Sequence, residues 1–296
     1  MKTATKVWLI IAAALTVIGA AVCAYAVSAE GFVPAEFETD TVEVSESFLS
    51  IAIRCDTEDV TLLPSGDGTC SVTFFTPEKA RPAVSVQDGT LVIETAETGE
   101  WYESFLRISF DAPKLTVCLP QSEYDLLSVA ASTGDITIPQ DFTFESVNIS
   151  VSTGDVACRA DAARQLRIAT STGDIRVEHV TVGMLELSVS TGRTALTDVT
   201  CKSLSSVGST GDLTMSDVAA AGTITIERST GNVHMERCDA AELEIATDTG
   251  DVTGSLRSEK IFFAQSDTGD VNVPETTTGG KCRITTDTGE IWITVP

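Results

Sequence analysis

Histidine is nearly absent: the 296 residues hold two, His179 and His234. Neither lies at zinc-ligand spacing from a set of cysteines, histidines or carboxylates. His234 and Cys238 are four apart, and on an extended chain they face different ways. No serine elbow, phosphate loop or dinucleotide-binding glycine pattern occurs, so no catalytic residue and no cofactor site is expected. Cationic side chains are scarce as well, with 19 Lys and Arg against 43 Asp and Glu. Nucleic acids and anionic lipid surfaces are excluded as main partners, because phosphates are held by basic patches. Aromatic residues make up 6% of the chain, too few to line a sugar groove of the kind that elongated β-helix lyases and hydrolases carry. Carboxylates are plentiful, however, so a polysaccharide-active β-helix enzyme stays as a third reading behind two non-catalytic ones.

A repeat occupies the second half of the chain. Glycine recurs at 134, 154, 173, 192, 211, 231, 250, 269 and 289, always preceded by threonine and six times followed by aspartate. The period of 19–20 residues marks a stacked array with one supersecondary unit per repeat. Counted from each glycine, apolar residues sit at −7, −5, +2 and +4, as with Val147, Ile149, Val156 and Cys158 around Gly154. Steps of two are the strand period, and the three-four steps of a helix are missing. Each repeat therefore reads as strand, Thr-Gly turn and strand, followed by a connection with one apolar residue at +7 (Val180, Val199, Val218, Cys238). One repeat cannot bury its own apolar face, but stacking can. The expected fold is all-β: a β-solenoid of about nine coils over residues 127–296. Ser206, Gly208 and Gly254 make two coils thin inside.

Residues 7–27 are one uncharged run, VWLIIAAALTVIGAAVCAYAV, within a first segment 1–30. Its length suits a membrane span of ~20 residues. Lys2 and Lys6 before it and Glu30 after it place the N-terminus in the cytoplasm and residues 28–296 outside. A cleavable signal peptide is the rival. Its apolar core is normally shorter, yet Ala24-Tyr25-Ala26 and Val27-Ser28-Ala29 offer cleavage sites, and cleavage would make the protein secreted. Residues 28–296 carry a formal charge of −26, being 17 Lys and Arg (19 less Lys2 and Lys6) against 43 acids. That field keeps an exported β-protein soluble, and it also suits cationic peptides or cations. Seven cysteines lie beyond the apolar run, and only Cys55, Cys70 and Cys118 fall outside the regular repeats, where one disulfide could form.

Residues 31–48 read as an acidic tether and 49–126 as an irregular β cap. The cap opens with a degenerate coil in which Glu58 takes the glycine position, with Ile51, Ile53, Val60 and Leu62 at the four apolar sites. Strands are expected at 70–76, 82–87, 90–95, 105–110 and 114–119, with a hairpin at Asp88-Gly89. The sequence stops right after the last coil's second strand, so that coil is expected to present a free edge, with Phe263 and Trp292 outward as contact residues and self-association open to it. The acids double up in the last three repeats: Asp248 and Asp251, Asp267 and Asp270, Asp287 and Glu290. Oxygen-rich rows of this kind can hold calcium, and they can equally cap turn N–H groups and face water.

The stretches LSIAIRCDTEDVTLLPS, VQDGTLVIETA and LTVCLPQSEYDLLSVAASTGDITI, followed by STGD coils, resemble a bacterial β-strand-repeat domain family named as candidate adhesins. The resemblance spans roughly residues 45–295. It implies a β-solenoid at a bacterial envelope, with no catalytic residues to carry over. The expected role is adhesion or surface contact with an envelope protein or glycan. The alternative is an envelope sensor or decoy for cationic peptides.

Overall fold

The computed structural model describes residues 8, 12–19, 21, 37–77, 82–95 and 112–296. The chain divides into two units, Met1–Phe37 with Gly99–Asp111, and Glu38–Thr98 with Ala112–Pro296. In the first, Trp8, residues 12–19 and residue 21 are helical, and the Thr16 hydroxyl donates to the carbonyl of Ala12 at 2.9 Å. Among the described residues no helix is long and apolar enough to cross a membrane. Most of the 7–27 run and the expected strand at 105–110 lie outside the described residues.

The second unit is a β-solenoid. Parallel strands pair rung on rung with the repeat as register: Val147 lies beside Leu166, which lies beside Leu185, then Leu204 and Ile224. The four apolar positions point inward, and most of their side chains are fully buried. The connection forms a third side. Val180, Val199, Val218 and Cys238 are buried there, followed two residues on by Val182, Cys201, Ala220 and Ala240. The chain enters this side through a left-handed corner at His179, Asp198, Asp217 and Arg237, with φ between 50° and 56°. Two of the four are aspartates, which tolerate this conformation as single residues. The nine Thr-Gly corners are all present. The array nonetheless makes about eight turns, since the last two corners belong to coils without a complete third side.

Two interior features differ from the sequence reading. The alternation runs one step further, to −3, and at that position Arg228 points inward with only 3% of its surface exposed. Its guanidinium fills the space beside Gly208, where a Cβ would meet Nη1 at 2.3 Å. Nη2 donates to Ser206 Oγ at 2.9 Å and Thr194 Oγ1 at 3.3 Å. The coil that looked thin is filled by its neighbour. Gly254 marks a close approach instead: its Cβ would sit 1.9 Å from the carbonyl oxygen of Met235, where the register shifts.

At the N-terminal end, β1 (Phe37–Val44), β2 (Ser50–Cys55), β3 (Asp59–Pro64), β4 (Cys70–Pro77), β5 (Ala83–Gln87), β6 (Thr90–Glu94) and β7 (Lys114–Leu119) form the cap. β2 and β3 are the degenerate coil, stacked directly on the Gly134 coil. Glu58 occupies the glycine site, and its buried carboxylate accepts the amides of Asp56 and Thr57 and the hydroxyl of Thr95. β6 and β7 make a further rung beneath. β5 and β4 then close that rung antiparallel, the hairpin turning at Asp88-Gly89 with positive φ at both residues. Residues 37–44, within the stretch read as a tether, form β1 and pair with β4.

At the other end the order of coils is exchanged. The strand after Gly280 pairs with that of the Gly250 coil on one side and with Lys260–Thr268 on the other. The last coil in sequence is therefore inserted between the seventh and the eighth, and the Gly269 coil is outermost. Residues 257–259 carry the chain past the skipped rung. Lys260 locks that crossing from inside, with Nζ 2.6 Å from both Asp239 Oδ1 and Ser258 Oγ. The free edge expected on the last coil thus belongs to the eighth.

Candidate contact surfaces

The Thr-Gly-Asp corner is a stacking device. Each glycine in the column has φ between 126° and 156°, and a Cβ there would lie 2.0–2.3 Å from the carbonyl oxygen of the corner beneath. Close backbone approach, as well as dihedral freedom, makes the position glycine-only. The aspartate that follows uses Oδ1 to accept the amide of the equivalent residue one rung on: Asp59 from Asp135, Asp135 from Asp155, Asp155 from Asp174, and Asp174 from Arg193, at 2.7–2.9 Å. Arg193 has no acceptor, and the ladder breaks there. It resumes from Asp212 through Asn232 Oδ1 to Asp251, which accepts from Glu290 across the exchanged coil at 2.8 Å. A side chain needs only one short acceptor arm to continue the ladder, so Asn232 serves as well as aspartate.

The calcium candidates lie on three adjacent rungs, in the order Asp248 and Asp251, Asp287 and Glu290, Asp267 and Asp270. Asp251 is engaged in the ladder, and Asp267 accepts from Gln265 Nε2 at 3.3 Å. Among the described residues no three His, Cys, Asp or Glu side chains converge as a metal group. Chelator is accordingly expected to leave the melting temperature unchanged, with no calcium heat by calorimetry. A calcium-dependent rise in melting temperature would give the acid rows a metal role.

The long strands before each glycine form a broad outer face of low relief. Its −6 row runs Ser128, Asn148, Arg167, Glu186, Ser205, Thr225, Glu244, and its −4 row Ala130, Ser150, Ala169, Ser188, Val207, Glu227, Ala246. One shallow cleft of about 340 Å³ lies off that face, at the left-handed corner, between Gln140, His179, Thr181, Asp198 and Thr200. His179 Nδ1 and Asp198 Oδ2 meet there at 3.1 Å. At the C-terminal tip Phe263 is 52% and Trp292 55% exposed, as expected from their offsets. Ile261 and Val271, which sequence reading did not single out, are also exposed there.

The Toastrack DUF4097 family matches residues 48–293. The chain belongs to that family. No curated protein matches it. Among solved structures it is similar to a candidate adhesin from Bacteroides fragilis NCTC 9343, with 13% identity, 88% of this chain and 100% of that one covered, and a TM-score of 0.50. It is likewise similar to a candidate adhesin from Parabacteroides distasonis ATCC 8503, with 12% identity, 88% and 99% covered, and a TM-score of 0.50. At these identities the likeness is one of fold.

The cysteines of this Toastrack chain are free thiols among the described residues. Ser71 lies opposite Cys118 in the β4–β7 pair, so strand alternation puts Cys70 on the inner face and Cys118 on the outer. The disulfide open to Cys55, Cys70 and Cys118 does not form. Burial pushes Cys55, Cys158 and Cys282 up to about 12, and Cys70 and Cys201 up to about 11. Of the seven cysteines from Cys55 to Cys282, peptide mapping after brief alkylation of the folded chain should find Cys118 labelled first, with the six buried thiols reacting only on unfolding. Labelling of Cys158 at the rate of Cys118 would contradict the inward assignment.

One ion-pair cluster crosses three rungs of the third side. Asp217 receives Arg237 Nε at 2.9 Å and Arg257 Nη2 at 3.0 Å. Hydrogen bonds from these two arginines, with their charge, hold the Asp217 carboxyl at about 2. At Asp239 burial pulls the other way, but hydrogen bonds from Lys260 and Ser258 keep the carboxyl below its usual value. A depressed carboxyl stabilises fully above its unfolded value of ~4 and loses that contribution as pH falls toward the folded value. Thermal melting followed from pH 5 to pH 2 should therefore steepen below pH 4. The slope should flatten in Asp217→Asn, and an unchanged slope would remove the cluster from the account.

Proposed function

We propose that this chain is a non-catalytic contact protein of the bacterial cell envelope. Residues 7–27 hold it in the membrane with the N-terminus inside, and residues 28–296 are displayed outside. The observation that supports adhesion is the outer face of the long strands: seven successive rungs present mostly Ser, Ala, Thr and Asn at −6 and −4. Such a face lets a second flat surface approach closely over many rungs, with little side-chain entropy to lose. Two solved structures of similar fold are named as candidate adhesins, which is compatible with this role. Cells displaying the chain should adhere to other cells or to a glycan surface, with little dependence on salt. Ala169→Arg with Ser188→Arg, placed in the middle of the face, should abolish adherence, and adherence unaffected by both would overturn the reading. Incubation with a polysaccharide panel is expected to release no product. The mass of the chain recovered from membranes distinguishes an anchor from a cleaved signal.

The formal charge of −26 on residues 28–296 favours one second role, capture of cationic peptides as a sensor or decoy. Its signature is binding that weakens steeply as salt rises. The same peptide bound equally at low and high salt would exclude it.

A further inference from the structure

The two ends of the solenoid are finished differently. At the N-terminal end, antiparallel β4 and β5 cover the last parallel rung. At the C-terminal end, strand Lys260–Thr268 is paired on one side only among the described residues, with Gly280–Thr288. Its inward residues show the consequence: Phe262 and Ala264 are half-buried, whereas Cys282 and Ile284 one rung below are fully buried. Val271, an inward position in every other coil, is 42% exposed. The neighbouring edge is only Val271–Asn272, and Pro274 brings no N–H to extend it. The free pairing capacity of this end is thus concentrated in one nine-residue strand.

We propose that this end is closed by a second copy of the chain, with Lys260–Thr268 pairing antiparallel to itself about a two-fold axis at Ala264. The N-terminal cap shows that rungs of this solenoid accept antiparallel strands. In the self-paired register Phe262 meets Ser266 of the second copy, Phe263 meets Gln265, and Ala264 meets Ala264. On the inward face the large Phe262 meets the small Ser266 and Ala264 meets itself, so both interiors close. Charge decides between this arrangement and a parallel continuation. Asp248, Asp287 and Asp267 already stack on three adjacent rungs, and another coil in the same direction would extend that like-charged column. The antiparallel copy places Ile261 against Asp267 instead, with Lys281 one strand behind Ile261. The acid column of each copy then ends facing an apolar residue and a lysine.

The dimer is independent of the adhesion reading, and either can fail alone. The test uses the full-length chain in detergent, in a Cys118→Ser background. Ala264→Cys should crosslink to twice the chain mass under mild oxidation, because the dyad puts residue 264 opposite itself. Ala246→Cys, on the outer face of the seventh coil, should not. Ala264→Glu should weaken self-association by more than about tenfold in sedimentation, since two carboxylates would then meet across the dyad. Its circular-dichroism spectrum and unfolding midpoint should stay those of a folded solenoid. A monomer at every concentration, or crosslinking of Ala264→Cys no faster than of Ala246→Cys, would overturn the proposal.

Discussion

Gly192→Ala is expected to destabilise the solenoid by ~3–5 kcal/mol, at the upper end of single-substitution effects. Two costs fall on one methyl group. Gly192 has φ of +150°, where an L-residue is strained, and its Cβ would lie 2.0 Å from the carbonyl oxygen of Gly173. That oxygen belongs to backbone and cannot swing aside. Relief requires these two rungs to part, which stretches the Gly173 amide bond to the Thr191 carbonyl, 3.0 Å. Gly68→Ala is the control. Gly68 also has positive φ, +77°, but nothing stands within 4 Å of its Cβ. Dihedral strain alone predicts a loss of ~1 kcal/mol there. Urea unfolding of both variants separates the two causes. Equal losses would mean that stacking adds nothing to the glycine requirement.

Gly208→Val is expected to cost about 2–3 kcal/mol by itself, because its side chain would occupy the volume of the Arg228 guanidinium. Arg228→Thr is also expected to destabilise, by about 1–3 kcal/mol, leaving a void beside Gly208 and taking a donor from Ser206. Together the two changes should recover most of the loss. The double variant has Val at −3 in one rung and Thr in the next, the residues already found there at Val189 and Thr247. It also removes a buried cation that has no carboxylate partner among the described residues and whose pKa burial lowers to about 10. Nε of that guanidinium has no hydrogen-bond partner among the described residues. Desolvating such a charge opposes folding, so the pair is held by shape and not by charge. Urea denaturation of all four chains closes the cycle. Additive losses would mean that Arg228 and Gly208 do not share one space.

The fold could be read from the chain because a solenoid is local. Each strand's period-two pattern is set within ten residues, and the Thr-Gly corner announces the turn beside it. Even the degenerate coil at Glu58 could be found, since its apolar offsets kept the spacing while the glycine was lost. Arg228 was missed for a narrower reason. The apolar rule covers −7, −5, +2 and +4; it counts Gly208 at −3 as interior, yet it does not flag the arginine at −3 one rung on, which points inward opposite that glycine. The outward exposure of Phe263 and Trp292 followed from offset parity, as does that of Ile261, which shares its −8 offset with exposed Met184, whereas Val271 is exposed only because its coil is outermost.

From sequence alone came the strand period, the glycine corners and the acidic surface. All of these are encoded in short windows or in composition. Tertiary structure decided which rung lies on which. The eighth and ninth coils carry nearly the same pattern, so either could stack on the seventh as far as periodicity is concerned. The choice falls to non-local contacts, the Lys260 lock on Asp239 and Ser258 and the pairing of Leu243 with Cys282. That choice determines which edge stays open at the end of the solenoid.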